Sequence, residues 1–390
     1  APLAANIKTD IVDLLSPEPF SANVVAAYDI FKFAARGKID LKSKKAAFSD
    51  YELTAGKTKI NGAFEATWGG ARPTLRGTLI SDRINPVDFK LGVSTMGGGE
   101  SNAAAEMKAD SQRFFSNTPL PLDMLRSVDA ALSVAVGEYP VNKGALEKIK
   151  AKMTLSGGNL VLEPIKAYVG KAPVDVKVVL NASKSPARID LGMIAKSVDL
   201  GDLQHLSNMT SFMEGKASAE VQLTGEGRTP HEIASTFTGV INVTADKGEI
   251  FTGSAAGIST ILAAIFGVGS DDSTLNCLAA RFIAKGGVMT DNGLLIDSAA
   301  STVLGKGLVN LGSEEIALSL HARSKLVDVG GLIPSMYIGG SLKEPSYSVN
   351  ASSVLKNVVS TLMEGNPNII SSNVPSIQTP SEGQNACVFT

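Results

Sequence analysis

The chain has 390 residues with 36 Lys and Arg against 38 Asp and Glu, a near-neutral balance that lacks the concentrated basic footprint of a nucleic-acid binder. Charged residues are only 19% and aromatics 5%, with 38 glycines, a composition of short strands and turns that leaves little for base stacking or aromatic carbohydrate clefts. The two cysteines, Cys277 and Cys387, are too few for a disulfide framework, and the apolar run Leu275-Asn276-Cys277-Leu278-Ala279 makes Cys277 read as a buried structural thiol.

In chain order, Ala1-Pro2-Leu3 has no Met, basic start or apolar run, so no signal peptide is read there. A strand-like start leads to a short helix at Asp10-Ile11-Val12-Asp13-Leu14-Leu15. Similar segments recur at Asn85-Pro86-Val87-Asp88-Phe89 and Asp199-Leu200-Gly201-Asp202-Leu203. The recurrence predicts a chain that starts partway through a preceding repeat, in a natural protein extending further in that direction.

A β-rich cassette accounts for the recurrence. Its first copy places Phe48, Tyr51 and Leu53 before Gly56-Lys57, then Ile60-Asn61-Gly62-Ala63-Phe64. The second places Leu160, Leu162 and Ile165 before Gly170-Lys171, then Val174-Asp175-Val176-Lys177-Val178, and Pro186 repeats the turn marked by Pro73. A third reads Val288, Leu294 and Ile296, then Gly305-Lys306 as the turn, then Leu308-Val309-Asn310-Leu311. Alternation as in Val174 to Val178, or Ile189-Asp190-Leu191, puts apolar side chains on one face of an antiparallel sheet. Stacked repeats of this kind make an extended surface and not a single catalytic pocket.

Between the cassettes, Met96-Gly97-Gly98-Gly99 opens a linker-like stretch, and Pro121 to Leu125 reads as a short helix. Thr229-Pro230-His231-Glu232 is a capping box that starts a helix reaching Thr236. Ile250 to Ser270 carries no charge; its many glycines favour a buried or interfacial helix over a membrane span. Ser353 to Met363 sets Val354, Leu355, Val358, Val359 and Leu362 on one helical stripe. The expected fold class is mainly β: repeated antiparallel strand cassettes forming a long curled, groove-like sheet with a few short covering helices. The expected organisation is a β-repeat unit over 1–92, a flexible linker over 93–118, a β-rich region over 119–350, an amphipathic helix over 351–364 and a disordered tail over 365–390.

Catalytic patterns do not hold up. Gly56-Lys57-Thr58 looks like the end of a P-loop, but Tyr51 stands where that motif needs glycine and the context is strand-turn-strand. Ser353-Val354-Leu355-Lys356 fits S-x-x-K without its companion motifs. His205, His231 and His321 are scattered and lack metal-ligand spacing. No enzyme, cofactor or metal is therefore expected. Lys57, Lys171 and Lys306 recur at one cassette position, either as solvated turn residues or as a line of lysines on a sheet rim facing lipid headgroups.

Several segments, in order, resemble the AsmA-like family of bacterial envelope proteins. Phe115-Ser116-Asn117-Thr118-Pro119-Leu120, running on to Asp129-Ala130-Ala131-Leu132, is similar to the segment leading into that family's C-terminal region, with Phe115 where Trp is frequent. Gly158-Asn159-Leu160-Val161-Leu162-Glu163-Pro164-Ile165, Asn276-Cys277-Leu278-Ala279-Ala280-Arg281-Phe282 and Ile338-Gly339-Gly340-Ser341-Leu342-Lys343-Glu344-Pro345 are similar to its later strands. The resemblance spans roughly residues 20 to 350. It implies kinship with β-groove lipid-transfer proteins, a periplasmic location, and inner-membrane association through an anchor outside this chain. It also implies a part in phospholipid transport and outer-membrane assembly, with no catalytic residues to carry over. The partners expected are phospholipid acyl chains, the bacterial inner membrane and envelope proteins, and no nucleic acid. On this reading Ile60, Phe64, Leu160, Leu162, Val174, Val176, Val178, Ile189 and Leu191 line an apolar groove. The alternative is a non-catalytic scaffold in an envelope complex, its sheet packed shut.

Overall fold

The computed structural model describes residues 4–9, 18–89, 113–206, 213–250, 273–325, 335–348 and 387. Strand makes up 70% and helix 8% of them, which settles the mainly-β class. Two compact units divide the chain: Ala1–Asp110, Thr118–Met193 and Glu226–Arg228 in the first, and Ser111–Asn117, Ile194–Gly225 and Thr229–Thr390 in the second. The linker expected over 93–118 lies outside the described residues up to residue 112. The helices expected at 250–270 and 351–364 lie outside the described residues, apart from Ile250. Among the described residues no helix is long and apolar enough to cross a membrane.

The first unit is a ladder of β1 (Ala4–Thr9), β2 (Phe20–Tyr28), β3 (Phe31–Asp40), β4 (Lys45–Ala55), β5 (Thr58–Thr67) and β6 (Thr74–Arg83). It continues through helix α1 (Leu122–Ser127) into β7 (Asp129–Val141), β8 (Gly144–Ser156), β9 (Asn159–Val169), β10 (Ala172–Asn181) and the start of β11 (Ala187–Asp199). From β1 to β10 each strand pairs with the next, and the sheet is not closed into a barrel. One pairing departs from the antiparallel expectation: β6 and β7 are parallel, Thr74 opposite Asp129. Parallel neighbours need a long crossover, which residues 84–128 supply.

The first two cassettes fold as the sequence predicts. Gly56-Lys57 and Gly170-Lys171 are the two-residue turns β4–β5 and β9–β10, with both glycines at positive φ, near 55° and 57°. Beside the first turn sits a helical turn at 87–89. Asp88 there accepts hydrogen bonds from the Lys57 N–H, the Thr58 N–H and the Thr58 hydroxyl at 3.1, 2.9 and 2.8 Å. The donors that resembled a phosphate cradle are thus filled by the chain's own carboxylate.

The second unit holds the end of β11, α2 (Leu200–Leu206), β12 (Met213–Gly227, to Gly225), α3 (Pro230–Ala234) and β13 (Thr238–Ile250). Then come β14 (Ser273–Lys285), β15 (Val288–Ser298), β16 (Ser301–Asn310), β17 (Glu315–Ser324), β18 (Met336–Ser341) and β19 (Pro345–Ser348), antiparallel throughout from β12. The capping box forms: the Thr229 side chain accepts the Glu232 N–H at 3.0 Å, with Pro230 leading the helix.

Two sequence readings are corrected in this unit. Gly305-Lys306 is not a turn; β16 runs straight through it, with Gly305 opposite Leu294 and Leu320. A Cβ at Gly305 would collide with Leu294 and press on Leu320 at 2.9 Å, so glycine is there to admit two leucines. Gly305→Val is expected to lower stability by about 1–3 kcal/mol, measured by urea denaturation, as overpacking does. Secondly, Cys277 is not a free thiol. It is disulfide-bonded to Cys387, with Cα atoms 6.1 Å apart. Two cysteines suffice for one bond when the fold brings them together, and spacing along the chain could not show that.

Candidate functional site

The register of the first unit aligns apolar side chains in rows across the strands. One row runs Phe20, Ile39, Ala46, Ala66, Leu75, Ala130, Leu155, Leu160, Leu180 from β2 to β10. The row beside it runs Ala22, Gly37, Phe48, Phe64, Gly77, Leu132, Met153, Leu162, Val178. A third contains Leu79, Val134, Ala151, Ile165 and Val176. Period two along every strand and matched register between strands together produce this face.

Its cover is uneven. Helix α1 caps the first row, where Leu122 packs with Leu180, Ala182 and Ala187, and Leu120, Leu125, Leu160 and Ile189 close around them. At the β2–β5 end Phe48 is buried, with Phe64 stacked on it at 4.8 Å and Tyr51 edge-on to Phe64 at 5.5 Å. In between, Leu132, Met153, Leu162, Val178, Leu79, Val134, Ile165 and Val176 are only half-buried. The stripe ends where Arg83 and Glu138, opposite each other on β6 and β7, form a 2.7 Å ion pair. The opposite face carries ion pairs such as Lys45–Glu65 and Lys59–Glu52, each at 2.7 Å.

All the sequence-derived lining residues fall on the apolar face. Ile60, Phe64, Leu160, Leu162, Val174, Val176 and Val178 do so by register, Ile189 by its packing under α1, and Leu191 by alternation with it. Ile60 and Val174 are buried; the others are half-buried. Sequence reading missed Leu132, Val134 and Val136 on β7 and Ile149, Ala151 and Met153 on β8, whose alternation is as plain as that of the cassettes. They complete the face because β7 and β8 lie between the cassettes.

The second unit treats its equivalent face differently. Ala217, Ala245, Leu278, Ile296, Val303 and Ala322 form a row that packs with Leu200 and Leu203 of α2. At the other strand ends Val309, Ile316 and Met289 pack with Ala234 of α3 and with Phe115. Both ends of this face are filled by the unit's own side chains.

Two buried carboxylates stand out in this second unit. Glu314 has φ near 60°, a backbone region unfavourable for its residue type, and is buried. It accepts the Phe114 and Phe115 N–H groups at 2.8 and 3.1 Å and faces His231 Nδ1 at 3.2 Å. Arg113 stands 3.3 Å from His231 Nε2, and the His231 N–H donates to the Ser116 carbonyl at 3.0 Å. Burial alone would raise the Glu314 carboxyl, but the two backbone donors and His231 hold it below the ordinary glutamate range. Asp297 is likewise held low against its burial by Lys325 at 2.6 Å, Asn276 and Thr302.

These groups tie together segments distant in the chain. The folded-state value of Glu314 lies below its unfolded one. Its contribution is therefore complete at neutral pH and disappears as pH falls below about 4 through the native value. Glu314→Ala leaves two N–H donors unpaired and is expected to cost about 2–3 kcal/mol at pH 7, and less as pH falls through the native carboxyl value, by urea denaturation across that range. Among the described residues no three His, Cys, Asp or Glu gather as a metal site.

The model of the AsmA family matches residues 32–294 of the chain. The AsmA family protein YhjG of Escherichia coli (strain K12) is 22% identical over 331 residues, covering 80% of this chain and 48% of YhjG. The chain thus spans about half the length of that curated relative. No solved structure matches it.

Proposed function

The chain belongs to the AsmA family, and from that footing we propose that it is a periplasmic, inner-membrane-associated protein that binds phospholipid acyl chains on the apolar face of its first unit. In this reading it serves phospholipid transport and outer-membrane assembly by binding and not by catalysis. The observation that carries the proposal is the half-buried middle of the face: Leu132, Met153, Leu162 and Val178 lie in one unbroken apolar row that α1 leaves uncovered. A half-buried apolar strip of this length still offers surface to a partner, and each acyl methylene laid on it contributes roughly 0.8 kcal/mol. The Cys277–Cys387 bond supports an oxidising compartment such as the periplasm. Native mass spectrometry of the purified chain tests the binding step. Co-purifying phospholipid is the expected result, and lipid-free protein from a native membrane source is the contrary one.

A scaffold role has its own support in the second unit, whose apolar face is filled from both ends by α2, α3 and Phe115. That unit is assigned support, and the first unit the lipid.

A further inference from the structure

The glycine–lysine turns still lack a role. Register puts Lys57, Lys143 and Lys171 on a single rim of the first unit: their turns are closed by the pairs Ala55–Thr58, Val141–Gly144 and Val169–Ala172, all at the same end of the ladder. Lys143 takes the place in this line that sequence reading gave to Lys306, which stands mid-strand. Successive turns lie three and two strand spacings apart, roughly 14 and 10 Å. All three lysines are exposed, and among the described residues none is ion-paired.

Two of the carboxylates near them are already engaged, while Asp82 on β6 and Glu147 on β8, opposite Glu138, have no ion pair among the described residues. Asp88 accepts the Lys57 and Thr58 N–H groups, and Glu138 holds Arg83. Asp29, exposed at the β2–β3 turn, marks where the basic stretch stops. Val87, 59% exposed, adds an apolar side chain to the same rim. The rim lies at the end of the apolar face, with only the Arg83–Glu138 pair between Lys57 and Lys143 on one side and Leu79 and Val134 on the other.

We propose that this rim docks on a membrane surface through anionic phospholipid headgroups, with Lys57, Lys143 and Lys171 as the headgroup contacts. The proposal rests on the acyl-binding reading of the same unit and gives that reading an orientation. Charge complementarity and continuity with the apolar face select a bilayer as the partner. Unpaired lysines at such a surface each add attraction that salt screens.

Vesicle co-sedimentation of the purified chain tests it, comparing phosphatidylcholine with phosphatidylcholine containing about 30% phosphatidylglycerol. Binding should favour the anionic vesicles, and the triple variant K57E/K143E/K171E should bind them roughly a hundredfold more weakly. The reversal K42E/K44E/K184E on the opposite rim, matched in charge, should change binding by no more than about twofold. Equal binding to both vesicle types overturns the proposal. So does equal damage from both reversals, or displacement from vesicles by inorganic phosphate. Native mass spectrometry separates this from the acyl reading: the rim variant keeps its co-purified lipid if only docking is lost. A Leu162→Asp variant should still sediment with anionic vesicles.

Discussion

Leu132→Asp combined with Leu162→Asp is expected to strip co-purified phospholipid from the chain by at least about fiftyfold. These two residues sit either side of Met153 in the same row, across β7, β8 and β9. Losing contact with even three methylenes costs about 2.4 kcal/mol, and an ionised carboxylate against an acyl chain adds a desolvation penalty. Because both positions are half-buried, the new carboxylates reach water and the fold should lose only about 1–2 kcal/mol. Ala131→Asp is the control, being exposed on the opposite face of β7. It should leave the lipid load unchanged. Lipid per chain is read by native mass spectrometry and by extraction. Full retention of lipid in the double variant would remove the apolar row from the account.

The second large effect is on stability. Cys277 lies on β14, and its bond to Cys387 closes a loop with a sequence separation of 110. A constraint on a loop that long is worth about 2–4 kcal/mol. Cys277→Ser with Cys387→Ser, or reduction by a dithiol, should therefore shift urea unfolding of the second unit by that amount. Hydrogen exchange locates the change: amides of β13 to β16 lose protection and those of β7 to β10 do not. Unreduced protein should show no reactive thiol before denaturation. Two titratable thiols in the unreduced protein would sink this part of the account.

How far the sequence spoke depends on the range of the interaction. Strand alternation, the positive-φ glycines of Gly56 and Gly170, and the Thr229 cap are local, and each emerged as read. Gly305 failed because glycine marks both turns and tight strand contacts; only the leucines across the ladder distinguish the two. The Cys277 bond and the Glu314 contacts join residues far apart in the chain, so no window of sequence could contain them. The apolar face falls between these cases. Its residues were visible strand by strand, but their alignment into rows needed the register, including the parallel step from β6 to β7. The open middle needed the reach of α1, a matter of tertiary cover.

Photo-crosslinking in cells from a benzophenone amino acid at Val176, half-buried on the uncovered part of the face, tests the central claim most directly. The account predicts a phospholipid adduct at Val176 and none from position 131 on the opposite face. Crosslinks to protein alone, or no adduct at all, would contradict it.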